Sequence, residues 1–276
     1  MSTPALPRSR AVVASAGAVL DLRETTGSTN ADLLSAAPDL ADGSVVVTLD
    51  QTAGRGRLDR TWSAPAGETL AASLLVRADL DDRSRGWLPL VAGAAMRDAV
   101  AAALGPAPAD ATGVTAVGRA SRVAVKWPND VLVDGRKVCG ILCQVAPDGS
   151  VVVGAGVNLT IPADRLPTPT ATSLAVAGAT DDAAALADAV LSAFVVAVRQ
   201  AVVGLTAGGA AAESVRSHVR AVCGTIGARV RLELPDGTVV EADAVGIDDE
   251  GRITIRDRDG STRGVAVGDL THLRYA

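Results

Sequence analysis

"DVLVDGRKVCGILCQV", residues 130–145, is the stretch on which the fold turns. Asp134-Gly135 stands between two β-rich runs, and an Asp-Gly pair in that setting is a strong signal for a hairpin turn. "VAVKW" leads into this hairpin and "SVVVGAGVNL" (150–159) follows it, so three strand segments lie close together. "SVVVTLD" (44–50) reads as a buried strand and "TLAASLLVR" (69–77) as another. "STNADLLSAA" (28–37) carries a Thr29-x-x-Asp32 capping pattern and then helical apolar spacing. Residues 86–104 read as a long helix, with Leu90, Ala94 and Met96–Val100 at roughly helical spacing, and 181–203 and about 210–222 as further helices. Clustered strands and grouped helices predict an α+β domain, a mixed sheet with helices packed on one side.

The ends of the chain read differently. "RSRAVVASAGAVL" (8–20) faintly resembles a signal peptide, but its apolar run is short and broken by Ser15 and Gly17. Residues 12–22 then read as an apolar strand or the end of a short leader, and export is not expected. Residues 105–121, rich in Gly, Pro, Ala and Thr, read as a surface loop. From Gly224 onward, short strands alternate with turns at Pro235-Asp236-Gly237, Glu250-Gly251 and Asp259-Gly260. That pattern predicts a small all-β barrel and a division into residues 1–222 and 223–276.

With 276 residues and 48% hydrophobic content, the chain can build a real core. Aromatic residues make up only 2%, so small aliphatic side chains must do most of the packing. A net charge of −5 argues against general nucleic-acid affinity. Cys139, Cys143 and Cys223 are odd in number and not spaced C-x-x-C, which fits reduced core thiols in a cytoplasmic protein better than a zinc site. No segment reads as a confident membrane span.

Within this acidic chain "TLDQTAGRGRLDRTW" (48–62) puts Arg55, Arg57 and Arg60 on a connection between two strands. Gly54 and Gly56 permit unusual backbone angles and close approach of a ligand. Arginine forks grip phosphate or carboxylate oxygens. The loop alone also fits a solvated basic connection. "GRGRLD" is not a dinucleotide fingerprint, because Asp59 stands where the last Gly belongs, and "GAGVNL" lacks its third Gly too. There is no P-loop, G-x-S-x-G elbow or H-E-x-x-H, and His218 and His272 read as ordinary surface or helix-end residues. In "VKWPND" (125–130), Pro128 ends a strand and Asn129 and Asp130 form a turn. Lys137 then starts the return strand, and Gly140 within it suggests close backbone approach. Asp130 as a turn cap, Lys137 as an exposed hairpin lysine and Ser28-Thr29-Asn30 as a helix cap remain open alternatives on residues alone.

Taken in order, "GSTN", "QTAGRGRLDRTW", "KWPNDVLVDGRKVCGIL" and "VGAGVNL" closely resemble the biotin–protein ligases, across roughly residues 25–160. The C-terminal segment resembles that family's SH3-like domain. The resemblance implies a class II synthetase-like catalytic domain and a two-step reaction. Biotin and ATP with Mg²⁺ give biotinyl-5′-adenylate, and the biotinyl group passes to a lysine of a biotin carboxyl carrier protein. It implies that Ser28, Thr29, Asn30 and Gln51 line the biotin site, with Arg55, Gly56, Arg57, Trp62, Lys137, Gly140 and Ile141 also bordering biotin. Arg55, Arg57, Arg60, Trp62, Lys126, Asn129, Asp130 and Asn158 would meet the nucleotide, and Lys137, Arg57 and Asp130 would serve catalysis. Of Trp62 and Trp127, at least one should wall the ligand, with core packing as an equal alternative. Few residues precede the first motif, so ligase activity is expected without DNA binding, in a cytoplasmic monomer or homodimer with no membrane role. A ligase for another carrier-borne acyl group, such as lipoate, and a non-catalytic binding module are the competing functions. The "GRGR" and "KWPND" pairing argues against the first, and the acidic charge and the complete set of motifs argue against the second.

Overall fold

The computed structural model describes residues 5–58, 60–105, 122–234, 236–267 and 272–275. Asp59 and nearly all of the expected 105–121 loop therefore lie outside the described residues. A seven-stranded mixed sheet forms from β1 (Leu20–Arg23), β2 (Val45–Thr48), β5 (Thr69–Val76), β6 (Val123–Lys126), β7 (Asp130–Val133), β8 (Arg136–Val145) and β9 (Val151–Asn158). Its strand order is β1-β2-β5-β9-β8-β7-β6, with only β1 and β2 parallel. Two short strands, β3 (Gly54–Arg55) and β4 (Thr61–Trp62), pair with each other beside this sheet. The β7–β8 turn is the one the sequence predicts. Asp134 and Gly135 both take positive φ, 49° and 75°, and Val133 pairs with Arg136.

The sheet has two differently covered faces. Helices α1 (Pro7–Ser15), α4 (Leu88–Leu104) and α5 (Ala183–Ala207) cover one face, with α6 (Gly209–Val222) beside α4 and α5 and the short α3 (Asp82–Gly86) leading into α4. Leu70, Ala72, Leu74, Val153, Ala155 and Val157 point into that main core, the period-2 alternation of a strand. The expectation of helices on one side only is corrected by α2 (Thr29–Ala36). Its Leu33 and Ala37 just beyond it pack with Val46, Leu75 and Val152 of the opposite alternation, on the other face. The cap of α2 is Ser28, whose Oγ accepts from Ala31 N, rather than Thr29.

Residues 12–15 belong to a helix rather than a strand: Pro7 starts α1, and β1 begins only at Leu20. The buried Asp188 of α5 accepts from Ser9 N (2.8 Å), Arg8 N (3.0 Å) and Ser9 Oγ (2.7 Å), satisfying the first turn of α1. With mean hydropathy 1.8, α5 is long and apolar enough to cross a membrane by length and composition, which the sequence reading missed; in this fold its Leu191, Phe194 and Val198 are core residues.

The C-terminal strands are β10 (Arg229–Glu233), β11 (Val239–Ile247), β12 (Ile253–Arg256), β13 (Thr262–Val265) and β14 (His272–Tyr275). They form an antiparallel sheet in the order β13-β12-β11-β10-β14. Two tryptophans, Trp87 between α3 and α4 and Trp127 just after β6, tie it to the rest of the fold. Trp87 Nε1 donates to Asp249 O (2.8 Å) and Trp127 Nε1 to Gly251 O (3.0 Å), both in the β11–β12 turn.

Candidate active site

The site starts from one transverse row of the sheet. Register places Ala71 of β5 beside Gly156 of β9, Gly156 beside Gly140 of β8, Gly140 beside Asp130 of β7, and Asp130 beside Lys126 of β6. Residues opposite one another share a face, so three strands in succession present almost no side chain and the row ends in an acid and a base. The result is a flat backbone floor on the α2 face. A Cβ placed on Gly156 would lie 2.8 Å from the Trp62 ring, and one on Gly140 would lie 3.4 Å from it, so the indole rests directly on this floor.

The next row, Ser73–Gly154–Leu142, forms the polar end. Asn30, from the first turn of α2, lies across it; a Cβ on Gly154 would fall 2.0 Å from Asn30 Oδ1. Asn30 Nδ2 donates to Leu142 O (3.1 Å) and Gln144 Oε1 (2.8 Å), and Ser73 Oγ donates to Asn30 Oδ1 (2.6 Å). Thr29 N donates to Gln51 Oε1 (2.9 Å).

Strands β3 and β4 carry the arginine loop over the floor as a small hairpin. Gly54 is required for close approach, since a Cβ there would meet Gln51 Nε2 at 2.5 Å and Trp62 O at 2.6 Å. The left-handed backbone in this hairpin falls on Leu58 (φ 54°), not on Gly54 or Gly56. Arg57 Nη1 reaches Asn129 Oδ1 (3.4 Å) and Nη2 donates to Val267 O (3.1 Å) of the C-terminal segment. Burial, reinforced by nearby Arg60, pulls the Arg57 pKa down, with Asp130 opposing. Asn129 is held by Ile141, donating Nδ2 to its carbonyl (2.8 Å). Lys137 Nζ lies 2.6 Å from Asp130 Oδ1 and 5.6 Å from the Trp62 ring centroid.

Ser28, Thr29, Asn30, Gln51, Arg55, Gly56, Arg57, Arg60, Trp62, Asn129, Asp130, Lys137, Gly140 and Ile141 thus line one cavity of about 170 Å³. Two expected residues stand apart from it. Lys126 packs its ammonium 5.6 Å from the Tyr275 ring, and burial lowers its pKa. Asn158 is buried, with Nδ2 donating to Thr172 O (2.9 Å). Trp127 is a core residue and Trp62 the cavity wall. Sequence reasoning missed Ala71, Ser73, Gln144, Gly154 and Gly156. For the two glycines the signal was present: G-x-G at strand period keeps one face bare. Ser73 and Gln144 carried none, because only strand register brings them to Asn30.

Residues 22–160 match the model of the biotin/lipoate A/B protein ligase family, and 225–272 match that of the biotin protein ligase C terminal domain. The chain belongs to the biotin/lipoate A/B protein ligase family. Within it, the chain is 40% identical over 259 residues to a biotin–[acetyl-CoA-carboxylase] ligase of Mycobacterium tuberculosis, covering 92% of this chain and 89% of that protein. Among solved structures of such ligases, the Aquifex aeolicus biotin protein ligase in complex with biotin and ATP superposes with a TM-score of 0.67 at 22% identity, covering 94% of this chain and 99% of that one. The Leishmania major biotin protein ligase in complex with biotinyl-5-AMP gives 0.57 at 25% identity, covering 90% and 99%. The α+β ligase fold expected from the motifs is therefore the fold found.

Proposed function

We propose that this chain activates biotin with ATP as biotinyl-5′-adenylate and transfers the biotinyl group to a lysine of a carboxylase's biotin carboxyl carrier domain. One observation carries this reading. A bare backbone floor joins a polar end (Thr29, Asn30, Gln51) to a cationic end (Arg55, Arg57, Arg60, Lys137), in a chain 40% identical to a biotin ligase. A hydrogen-bonding head group suits the first end and a carboxylate meeting a phosphate suits the second. The polar end also favours biotin over lipoate, whose dithiolane ring carries no N–H or C=O.

Adenylation brings a carboxylate against a phosphate anion. Lys137 and Arg57 offset that repulsion as charge develops. Among the described residues lining the cavity Asp130 is the only carboxylate, so Mg²⁺ belongs with the nucleotide's phosphates and is part of the substrate. Ser28, Thr29, Asn30, Gln51, Trp62, Gly140 and Ile141 border biotin. Arg55, Gly56, Arg57, Arg60 and Asn129 border the nucleotide, with Lys126 at its edge. Asn158 supports the end of β9 instead, its amide being engaged elsewhere. The arginine hairpin keeps water from a hydrolysable mixed anhydride. Asp130, released from Lys137 once that lysine meets phosphate, orients the acceptor amine or takes its proton. The unit divides at 222/223, acts in the cytoplasm, and needs neither DNA nor a membrane.

Biotin-dependent ATP–pyrophosphate exchange, with lipoate as control, tests the reading. Exchange with biotin alone is expected; exchange with neither acid would refute it. Asp130→Asn should keep exchange and lose transfer to a carrier domain, and unchanged transfer would remove Asp130 from the second step.

A further inference from the structure

We propose that Ser73 and Gln144, neither of which lines the cavity, are positioning residues that set the donor–acceptor pattern the polar end offers to biotin's ureido ring. The proposal rests on the biotin reading above. It follows from hydrogen counting along a buried network, anchored at both ends by backbone groups whose polarity cannot change.

At one end Leu142 O can only accept, so the Asn30 amide must turn its nitrogen there (3.1 Å) and to Gln144 Oε1 (2.8 Å). Both Asn30 N–H groups are then used, and Oδ1 faces Ser73 at 2.6 Å. An amide oxygen cannot donate, so the single hydrogen of Ser73 goes to Asn30. That same hydrogen also faces Thr29 Oγ1 at 2.8 Å, where Thr29 accepts, so Thr29 turns its own hydrogen to Gln51 Oε1 at 3.2 Å. The Thr29 hydroxyl thus spends its hydrogen inside the network and keeps a lone pair for the cavity. At the other end Thr29 N can only donate, so it fixes Gln51 Oε1 inward (2.9 Å) and leaves Gln51 Nε2 as the donor.

Of the cavity-lining residues in this network, Thr29 is therefore left with an acceptor, Oγ1, and Gln51 with a donor, Nε2. A cyclic urea, with N–H beside C=O, complements that pair. Without Ser73 the Thr29 hydroxyl loses the donor that turns its hydrogen toward Gln51, so that hydrogen can swing outward and the acceptor becomes a donor. Without an acceptor at position 144 the Asn30 amide loses one of the two bonds that orient it.

The test compares kcat/KM for biotin with that for biotin methylated on one ureido nitrogen, in biotin-dependent ATP–pyrophosphate exchange. The wild-type chain should prefer biotin strongly. Ser73→Ala should raise KM for biotin more than it lowers kcat, and the biotin-to-methylbiotin ratio should fall at least 10-fold. Gln144→Leu should lower the ratio in the same direction, while Gln144→Glu, which keeps an acceptor for Asn30, should restore it. A uniform loss that leaves the ratio at its wild-type value in Ser73→Ala and Gln144→Leu would overturn the proposal. Should Ser73→Ala not fold, the Gln144→Leu and Gln144→Glu pair decides alone. Absence of wild-type exchange with biotin would instead remove the biotin reading itself, and this pattern with it.

Discussion

Gly154 and Gly156 leave no room for a methyl group. Gly154→Ala would drive a Cβ to 2.0 Å from Asn30 Oδ1, forcing Asn30 out of its network. We expect a loss of biotin affinity of about 100-fold, roughly 2.7 kcal/mol, read by calorimetric titration. Gly156→Ala meets the Trp62 ring at 2.8 Å, and a ring on a short hairpin can lift. A smaller affinity loss, about 10-fold, should accompany a red shift of tryptophan emission. At the same scale, burial pushes the Cys139 and Cys223 thiols up from their ordinary value of 9.0. The unfolded chain releases these protons first, so their contribution to stability is full below that value and drains away as pH rises past it. The urea midpoint should fall between about pH 8 and 10 (on the order of one unit either side of an ordinary thiol), less steeply in Cys139→Ala. At neutral pH the folded chain should resist alkylation by iodoacetamide at both positions.

Elements show where local rules decided structure and where they could not. The β7–β8 hairpin was legible because Asp134-Gly135 states its own backbone angles. The helices after residue 86 were legible from spacing, and the C-terminal turns from their glycines. Helix α1 was not. Its apolar residues carry no clear helical stripe, and its first turn is satisfied by Asp188, 179 residues away from Ser9. Asp188→Ala should therefore destabilise the chain by about 2–3 kcal/mol in urea denaturation and free α1 first, seen as early loss of hydrogen-exchange protection over residues 7–15. Unchanged protection there would show that α1 is held by its apolar contacts alone. The position of α2 on the face opposite α4 and α5 was equally hidden, since its short amphipathic run does not say which side of a sheet it covers. The motif residues of the site were legible as chemistry, and Ser73 and Gln144 were not, because pairing partners across strands are set by register, not by local pattern.

At the scale of the whole molecule, two of the three tryptophans point their N–H groups at one turn of the C-terminal sheet. Trp127 also adjoins the Pro128-Asn129-Asp130 turn that meets Arg57, and Arg57 itself donates to Val267 O. The C-terminal segment thus holds the arginine hairpin through the Val267 carbonyl just beyond β13. Trp127→Phe, which keeps an aromatic ring but removes the donor and part of the buried indole, should cost about 1–3 kcal/mol in stability and shorten the lifetime of bound adenylate, measured by chase with unlabelled biotin. Arg57→Ala should speed the same leakage further, and normal retention in that variant would refute the closing role of the hairpin. The backbone floor carries a consequence for ligand engineering. A pocket walled by side chains can be enlarged by trimming them, but Gly156 and Gly140 offer nothing to trim and Ala71 only a methyl group. Biotin analogues thickened on the floor side will be refused whatever is substituted there. Variants that accept bulkier probes must be sought on the roof, by shortening Trp62 or loosening the hairpin that carries it.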